Sequence, residues 1–210
     1  MAHPKLSVNR IIDAAQAVIE ARGLTGFSMR TLAVELGVDP MAVYHYFPNK
    51  DALVQGVLKK VMSYIDTTVP GVDWQQDLAI LCNNMRRFAL NHPQIIVIYC
   101  ENNLWLLPEH RFFEALYRVF RDSGMEKRHM AMSLRLTMKV LEEFCYCEGM
   151  GWHEPEDEKQ YVESLEGEPF PLLREMMPET LVFDSDQDFN FSVAVLTQGL
   201  ASFCKQGAGN

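Results

Sequence analysis

The sequence predicts an all-α protein in two parts, a three-helix N-terminal unit and a larger helical body that share one helix. Three observations carry that expectation. Apolar residues recur at three- and four-residue spacing along most of the chain, the period of a helix with one buried face, and no stretch alternates as a strand would. Ser, Asp and Gly punctuate these stripes where helices begin and end. Between Gly26 and Lys50, two short helices are separated only by the turn Gly37-Val38-Asp39-Pro40.

The first helix runs from its cap, Ser7, through Arg22, with Val8, Ile11, Ile12, Ala15, Val18 and Ile19 as its apolar stripe. Gly23 stops it, and Leu24 and Phe27 fold back onto the stripe. Ser28 caps the second helix, whose Leu32, Ala33 and Leu36 face inward, and Gly37 ends it in the left-handed region. Asp39 caps the third helix, and Pro40 opens it where a missing N–H costs nothing. That helix, expected over Pro40 to Phe47, buries Val43 and Phe47 and turns Met41, Ala42, Tyr44, His45 and Tyr46 outward. A helix so short is unstable alone and must be braced by its neighbours. A small braced helix with an exposed polar and aromatic face suits the major groove of duplex DNA.

The fourth helix opens at Asn49–Lys50, and Leu53, Val54, Val57, Leu58, Val61 and Ile65 carry it toward Pro70–Gly71. No Gly/Ser linker intervenes, so this helix joins the two parts. Asp73 caps a fifth helix with Leu78, Leu81, Met85 and Phe88 inward, ending near Asn91-His92-Pro93. A short apolar piece reaches Cys100. Pro108 opens the seventh helix, faced by Phe112, Leu116, Val119 and Phe120 and stopped by Gly124. The eighth spans about Glu126 to Glu148, with Leu134, Met138, Leu141 and Cys145 as its stripe. Residues 149–168 are rich in Asp and Glu and read as a solvated loop; His153 lacks a second histidine at helical spacing, so no metal site is expected there. Pro171 and Pro178 break the helical stretch from Phe170 to Phe183. The last helix runs from its caps at 184–186 to Phe203, with Phe189, Val193, Leu196, Leu200 and Phe203 on one face. Phe191 and Val195 form a second apolar face, more than one surface needs.

Composition excludes several classes. No run is long and apolar enough to cross a membrane, and the N-terminus has no signal-peptide core, so a cytoplasmic location is expected. Five cysteines at scattered spacing read as free thiols, not as a disulfide framework, and Cys145 and Cys147 project to different sides of a helix. No nucleophile elbow, phosphate-binding loop, dinucleotide fingerprint or zinc-protease motif is present, so no enzyme is expected. The net charge of −9 is unevenly spread: residues 1–60 hold seven Lys and Arg against five Asp and Glu, the rest twelve against twenty-three. The first part is mildly positive, and the acidic remainder turns it toward phosphates in one orientation.

The stretch LAVELGVDPMAVYHYFPNKDAL resembles the DNA-binding signature of the TetR family of bacterial transcriptional regulators. The likeness rests on Leu-Ala-x-x-Leu-Gly-Val, on Tyr-x-x-Phe at the end of the short helix and on Asn-Lys-x-x-Leu at the start of the next. It implies a helix-turn-helix domain over 1–50 and a ligand-binding and dimerisation domain over 51–210. It also implies a DNA surface of Ser28, Arg30, Thr31, Pro40, Met41, Ala42, Tyr44, His45, Tyr46 and Lys50. Of these, Arg30 can reach a guanine edge or a phosphate, Met41 and Ala42 a thymine methyl, and Lys50 a phosphate. The later part resembles the tetracycline-repressor branch more loosely, through RRFALNHP, FFEALYRVFRDSGM and DFNFSVAVLTQGL. That likeness implies a homodimer joined through the eighth and last helices, and an operator with two-fold symmetry. Where tetracycline repressors carry histidines for drug and metal, Asp66 and Tyr99 stand here, which argues against magnesium-tetracycline and leaves no cofactor or metal expected.

An apolar or aromatic effector is expected between the fifth and eighth helices, lined by Met85, Phe88, Tyr99, Trp105, Phe112 and Met138, with Asn103 and Thr137 to orient it. Twelve Met and twelve Phe in the chain suit an adaptable apolar pocket. The expected function is a ligand-responsive repressor released from its operator. The alternative is a dimeric small-molecule-binding protein of the same fold that no longer binds DNA, against which Arg30, Tyr44 and Lys50 stand.

Overall fold

The computed structural model describes residues 5–101, 110–151, 169–180, 182 and 184–204. Among these every regular element is a helix: α1 Val8–Arg22, α2 Met29–Leu36, α3 Pro40–Tyr44, α4 Lys50–Met62, α5 Trp74–Asn91, α6 Pro93–Glu101, α7 His110–Asp122, α8 Lys127–Met150, α9 Pro171–Thr180 and α10 Ser185–Ala201. The start signals act as their chemistry requires. Ser7, Ser28, Asp39, Asn49, Asp73 and Asp184 each accept a first-turn N–H through the side chain. Gly37, at φ 67°, closes α2 in the left-handed region, where a side chain would be strained.

In the N-terminal unit α1 packs on α2 and α4, and α2 on α3. Ile11, Ala15, Ile19, Leu32, Val43, Leu53, Val57 and Val61 are sealed from solvent at its centre. In the larger body α5, α7 and α8 pack together, α10 lies on α5 and α8, and α6 is wedged between α8 and α1. The α6–α8 crossing is close because residue 149 is glycine: a Cβ there would stand 3.0 Å from Val97 Cγ2 and 3.2 Å from the Pro93 carbonyl oxygen.

Four expectations need correction. Helix α4 stops at Met62, well before Pro70, because the Ser63 hydroxyl turns back to the Lys60 carbonyl at 2.6 Å and Asp66 caps the Thr68 N–H at 2.9 Å. Ile65 is still buried, delivered by that turn. Helix α3 ends at Tyr44, and Tyr46 and Phe47 continue as a turn bonded to the Val43 carbonyl. Pro171 does not break the 170–180 stretch but opens α9, where no N–H is needed, and Pro178 is accommodated inside it. Phe203 lies past the end of α10 and is 52% exposed, so it leaves the buried stripe; its ring stands 5.1 Å from that of His129 on α8. Asn103, Trp105, Pro108, His153 and the acidic stretch 154–168 lie outside the described residues.

One contact fixes how the larger body closes. Arg86 of α5 and Glu148 of α8 have side chains only 10% and 5% exposed. The guanidinium donates to both Glu148 oxygens, from Nε at 2.9 and 3.1 Å and from NH2 at 2.6 Å. NH2 also donates to Ser185 Oγ at 2.9 Å and meets Asp186 at 2.7 Å, both at the start of α10. Phe189 covers the guanidinium, its ring centroid 4.8 Å away. Three helices therefore meet on one ion pair. Removing one partner strands the other charge in the interior, so Arg86→Ala is expected to lower the unfolding free energy by about 3–5 kcal/mol. Urea denaturation measures it, and a loss under about 1 kcal/mol, the range of exposed pairs, would contradict this account.

Candidate nucleic-acid interface and effector site

The recognition element is built from local chemistry. Ser28 and Thr31 form a reciprocal cap: Thr31 N–H donates to Ser28 Oγ at 3.0 Å, and Ser28 N–H donates to Thr31 Oγ1 at 2.9 Å. Asp39 Oδ1 accepts the Met41 N–H at 2.8 Å and starts α3. Val43, fully buried, holds α3 against the body of the unit. Opposite Val43 the surface presents Met41, Tyr44 and His45, all exposed, with Ala42 half-buried beside them. Arg30 is exposed in the first turn of α2. Pro40 sits half-buried at the first position of α3.

The polar ends of two expected DNA residues are engaged inside the protein. Lys50 Nζ donates to the main-chain carbonyls of Leu24 and Phe27, both at 2.9 Å, with the Phe27 ring centroid 5.6 Å away. It clips the start of α4 to the loop between α1 and α2 and so braces α2 and α3 from behind. The Tyr46 hydroxyl donates to the Leu6 carbonyl at 3.0 Å. Both partners lie more than twenty residues away along the chain, so no local pattern announces them.

Five of the expected effector residues lie in the interior of the larger body. Met85, Phe88, Tyr99, Phe112 and Met138 are all buried, drawn from α5, α6, α7 and α8. Thr137, beside Met138, is fully buried, and among the described residues its Oγ1 is the only buried side-chain oxygen or nitrogen without a hydrogen-bond partner. An unpaired buried hydroxyl costs about 1–3 kcal/mol, a penalty that a bound acceptor would relieve. Asp66, where tetracycline repressors carry histidine, is exposed, and its hydrogen bonds to Thr68 hold its carboxyl below the usual value. Tyr99 is buried, and desolvation pushes its phenol up.

Next to this cluster, an open cleft of about 460 Å³ lies between α6 and α8, bordered by Cys100, Glu101, Lys139, Glu142, Glu143 and Tyr146. Sequence reading missed Glu142, which burial raises from 4.5 to about 7. The cysteines are free, and burial pushes the thiols of Cys82 and Cys100 up to about 12, so they are unreactive at neutral pH. Among the described residues no group of three His, Cys, Asp or Glu could hold a metal ion, and no helix is long and apolar enough to cross a membrane.

The comparisons with known proteins agree with this architecture. Residues 11–57 match the model described as bacterial regulatory proteins, tetR family, and residues 68–203 match the tetracyclin repressor-like C-terminal domain. The chain belongs to the tetR family of bacterial regulatory proteins. Among curated relatives, the HTH-type transcriptional repressor DrrR1 of Streptomyces coeruleorubidus is 30% identical over 97 residues, 45% of this chain and 36% of that protein. The class D tetracycline repressor of Escherichia coli is 29% identical over 91 residues, 42% of each chain. The matched stretch thus spans well under half the length of these relatives. Among solved structures, ActR of Streptomyces coelicolor, both ligand-free and in complex with actinorhodin, superposes with a TM-score of 0.84 at 22% identity, over 97% of this chain and 100% of that one. At that identity the likeness speaks for a shared fold.

Glu142 predicts a pH dependence. A carboxyl raised in the folded state binds its proton more tightly there than in the unfolded chain, so its stabilising contribution is complete below about pH 4.5 and is lost as pH rises to about 7. Glu142→Gln removes that titration. The variant is expected to gain stability relative to the wild type between pH 5 and pH 8 in urea denaturation; a constant difference across that range would contradict the assignment.

Proposed function

We propose that this protein is a ligand-responsive transcriptional repressor that binds a near-palindromic operator as a homodimer and is released by a small apolar or aromatic effector. The observation that carries the reading is the outward face of α3, where Met41, Tyr44 and His45 stand exposed on a helix braced by Val43 and capped by Asp39. Packing gives no reason for such a face, whereas a major groove does. In this reading Arg30 and Tyr44 reach phosphates or base edges, and Met41 and Ala42 meet thymine methyls. Ser28, Thr31 and Pro40 set the helix starts that aim them, and Lys50 holds the unit together from behind.

Dimerisation uses α8 and α10. Met132 and Leu136 on α8, with Phe191 and Val195 on α10, form one exposed apolar surface, Phe191 at 69% and Val195 at 52% exposure. A groove of about 430 Å³ between the two helices, bordered by Leu136, Val140, Phe191, Val195 and Phe203, suits the same helices of a second copy. The effector occupies the cluster of Met85, Phe88, Tyr99, Phe112 and Met138, with Thr137 as its buried donor. ActR, solved in complex with actinorhodin, sets a precedent for a bound small molecule in this fold. The protein acts in the cytoplasm, where the operator is.

Selection from random duplexes is expected to yield two related half-sites about 34–36 Å apart, centre to centre. A motif without dyad symmetry would contradict the dimeric reading, and no enriched motif would contradict DNA recognition itself. Val195→Asp is expected to sediment as a folded monomer, and a variant still dimeric at low micromolar concentration would remove Val195 from the interface.

A further inference from the structure

The hydrogen bond between Tyr46 and Leu6 spans forty positions and has consequences beyond the third helix. Tyr46 stands exposed immediately after His45 of the recognition face, and Leu6 packs partly buried on the core. The chain before α1 is therefore tied at residue 6, beside the DNA surface. Lys5 is the next residue, about 3.8 Å upstream by backbone geometry. It is exposed, and among the described residues it forms no ion pair.

The charge distribution makes this lysine matter. Within residues 1–60 the seven cations are not equally free for phosphate. Lys50 is held by two carbonyls, Lys60 pairs with Asp13, and Arg10 donates to the Leu36 carbonyl at 3.4 Å. Arg22 ends α1, about 20 Å along that helix from its start beside Tyr46. Lys59 lies in the last turn of α4, the end away from α3. Arg30, in the first turn of α2, and Lys5, next to the residue that Tyr46 holds, remain.

Resting on the DNA-binding reading, we propose that Lys5 is a further DNA contact, neutralising a backbone phosphate beside the groove that α3 enters, and that Tyr46 is its positioning residue. The tyrosine was expected to touch DNA itself, but its one hydroxyl proton points to the Leu6 carbonyl, so it serves through the segment it holds. Without that bond the ammonium would search a wider volume, and part of the contact would be lost to ordering entropy. The contact carries no base preference, because phosphates are alike at every step.

Anisotropy titrations at several salt concentrations test this, with a duplex selected from random-sequence DNA by the wild-type protein and a scrambled duplex as probes. Each phosphate contact contributes about 0.9 to the slope of log K against log salt, so Lys5→Ala in a dimer is expected to lower the slope by about 1.8. It should weaken both duplexes by the same factor, and Lys5→Arg should restore the slope. Tyr46→Phe keeps the ring and is expected to weaken binding in the same direction, and Lys5→Ala in that background should add less than it does alone. Thermal melts check that Tyr46→Phe is folded, while Lys5, being exposed, tests the contact without that concern. An unchanged slope for Lys5→Ala overturns the contact. Full additivity of the two substitutions overturns the positioning role. A wild-type protein that selects no duplex overturns the DNA-binding reading, and this inference with it.

Discussion

The larger body is organised by the buried pair of Arg86 and Glu148. Two charges taken from water are tolerable only when nearly every donor and acceptor around them is matched. Here both carboxylate oxygens of Glu148 accept from the guanidinium, Ser185 adds its hydroxyl, and Asp186 takes a further share of the cation. The geometry leaves little freedom. The C-terminal end of α8, the middle of α5 and the first turn of α10 must meet at one point, which sets the angle between α8 and α10. That angle positions Leu136, Phe191 and Val195 as one surface, and the same clasp seats α5 and α8 as walls of the Met85, Phe88 and Met138 cluster. The proposed dimer face and the proposed effector region thus share one support.

Between that body and the recognition unit the contacts are few and specific. His92 Nδ1, where α5 turns into α6, lies 2.8 Å from Glu20 Oε1 on α1, with the rings of Phe88 and Tyr64 at 4.9 and 6.3 Å. A side chain at Gly23 would come within 3.0 Å of Gln94 Oε1. Helix α6 lies directly on α8 across Gly149 and touches α1 and α4 on its other side. In the proposed mechanism an effector among α5–α8 displaces α6, and α6 bears on the recognition unit. A ligand shifts an equilibrium only by its differential affinity for the two states. Grooves about 34–36 Å apart tolerate little error in the separation of two recognition helices, so a displacement of a few ångströms at each junction is enough.

Much of the fold was legible because its signals are local. Ser7, Ser28, Asp39 and Asp73 cap the helices they precede, Gly37 ends α2, and the stripes of α5, α7 and α1 from Ile11 onward are the buried residues, whereas Val8, in the first turn of α1, is exposed. The exposed face of α3 was also legible, since Val43 alone needs burial there. What the sequence hid depends on distant partners. Nothing near Lys50 announces the carbonyls of Leu24 and Phe27, nothing near Tyr46 announces Leu6, and Arg86 sits 62 positions from Glu148. The end of α4 was misplaced for a different reason: the apolar period runs on to Ile65, but Ser63 and Asp66 offer the backbone better partners than another helical turn.

In the proposed mechanism effector and operator oppose each other through one protein. Linkage makes that claim reciprocal: whatever factor the effector takes from operator affinity, the operator must take from effector affinity, typically about 5–150-fold. Calorimetric titration of the wild-type protein with an effector identified by mass spectrometry of co-purified material, with and without saturating operator, measures it. Effector binding is expected to be weaker in the presence of operator, by the same factor as the loss in operator affinity. Equal effector affinities in the two titrations would contradict it.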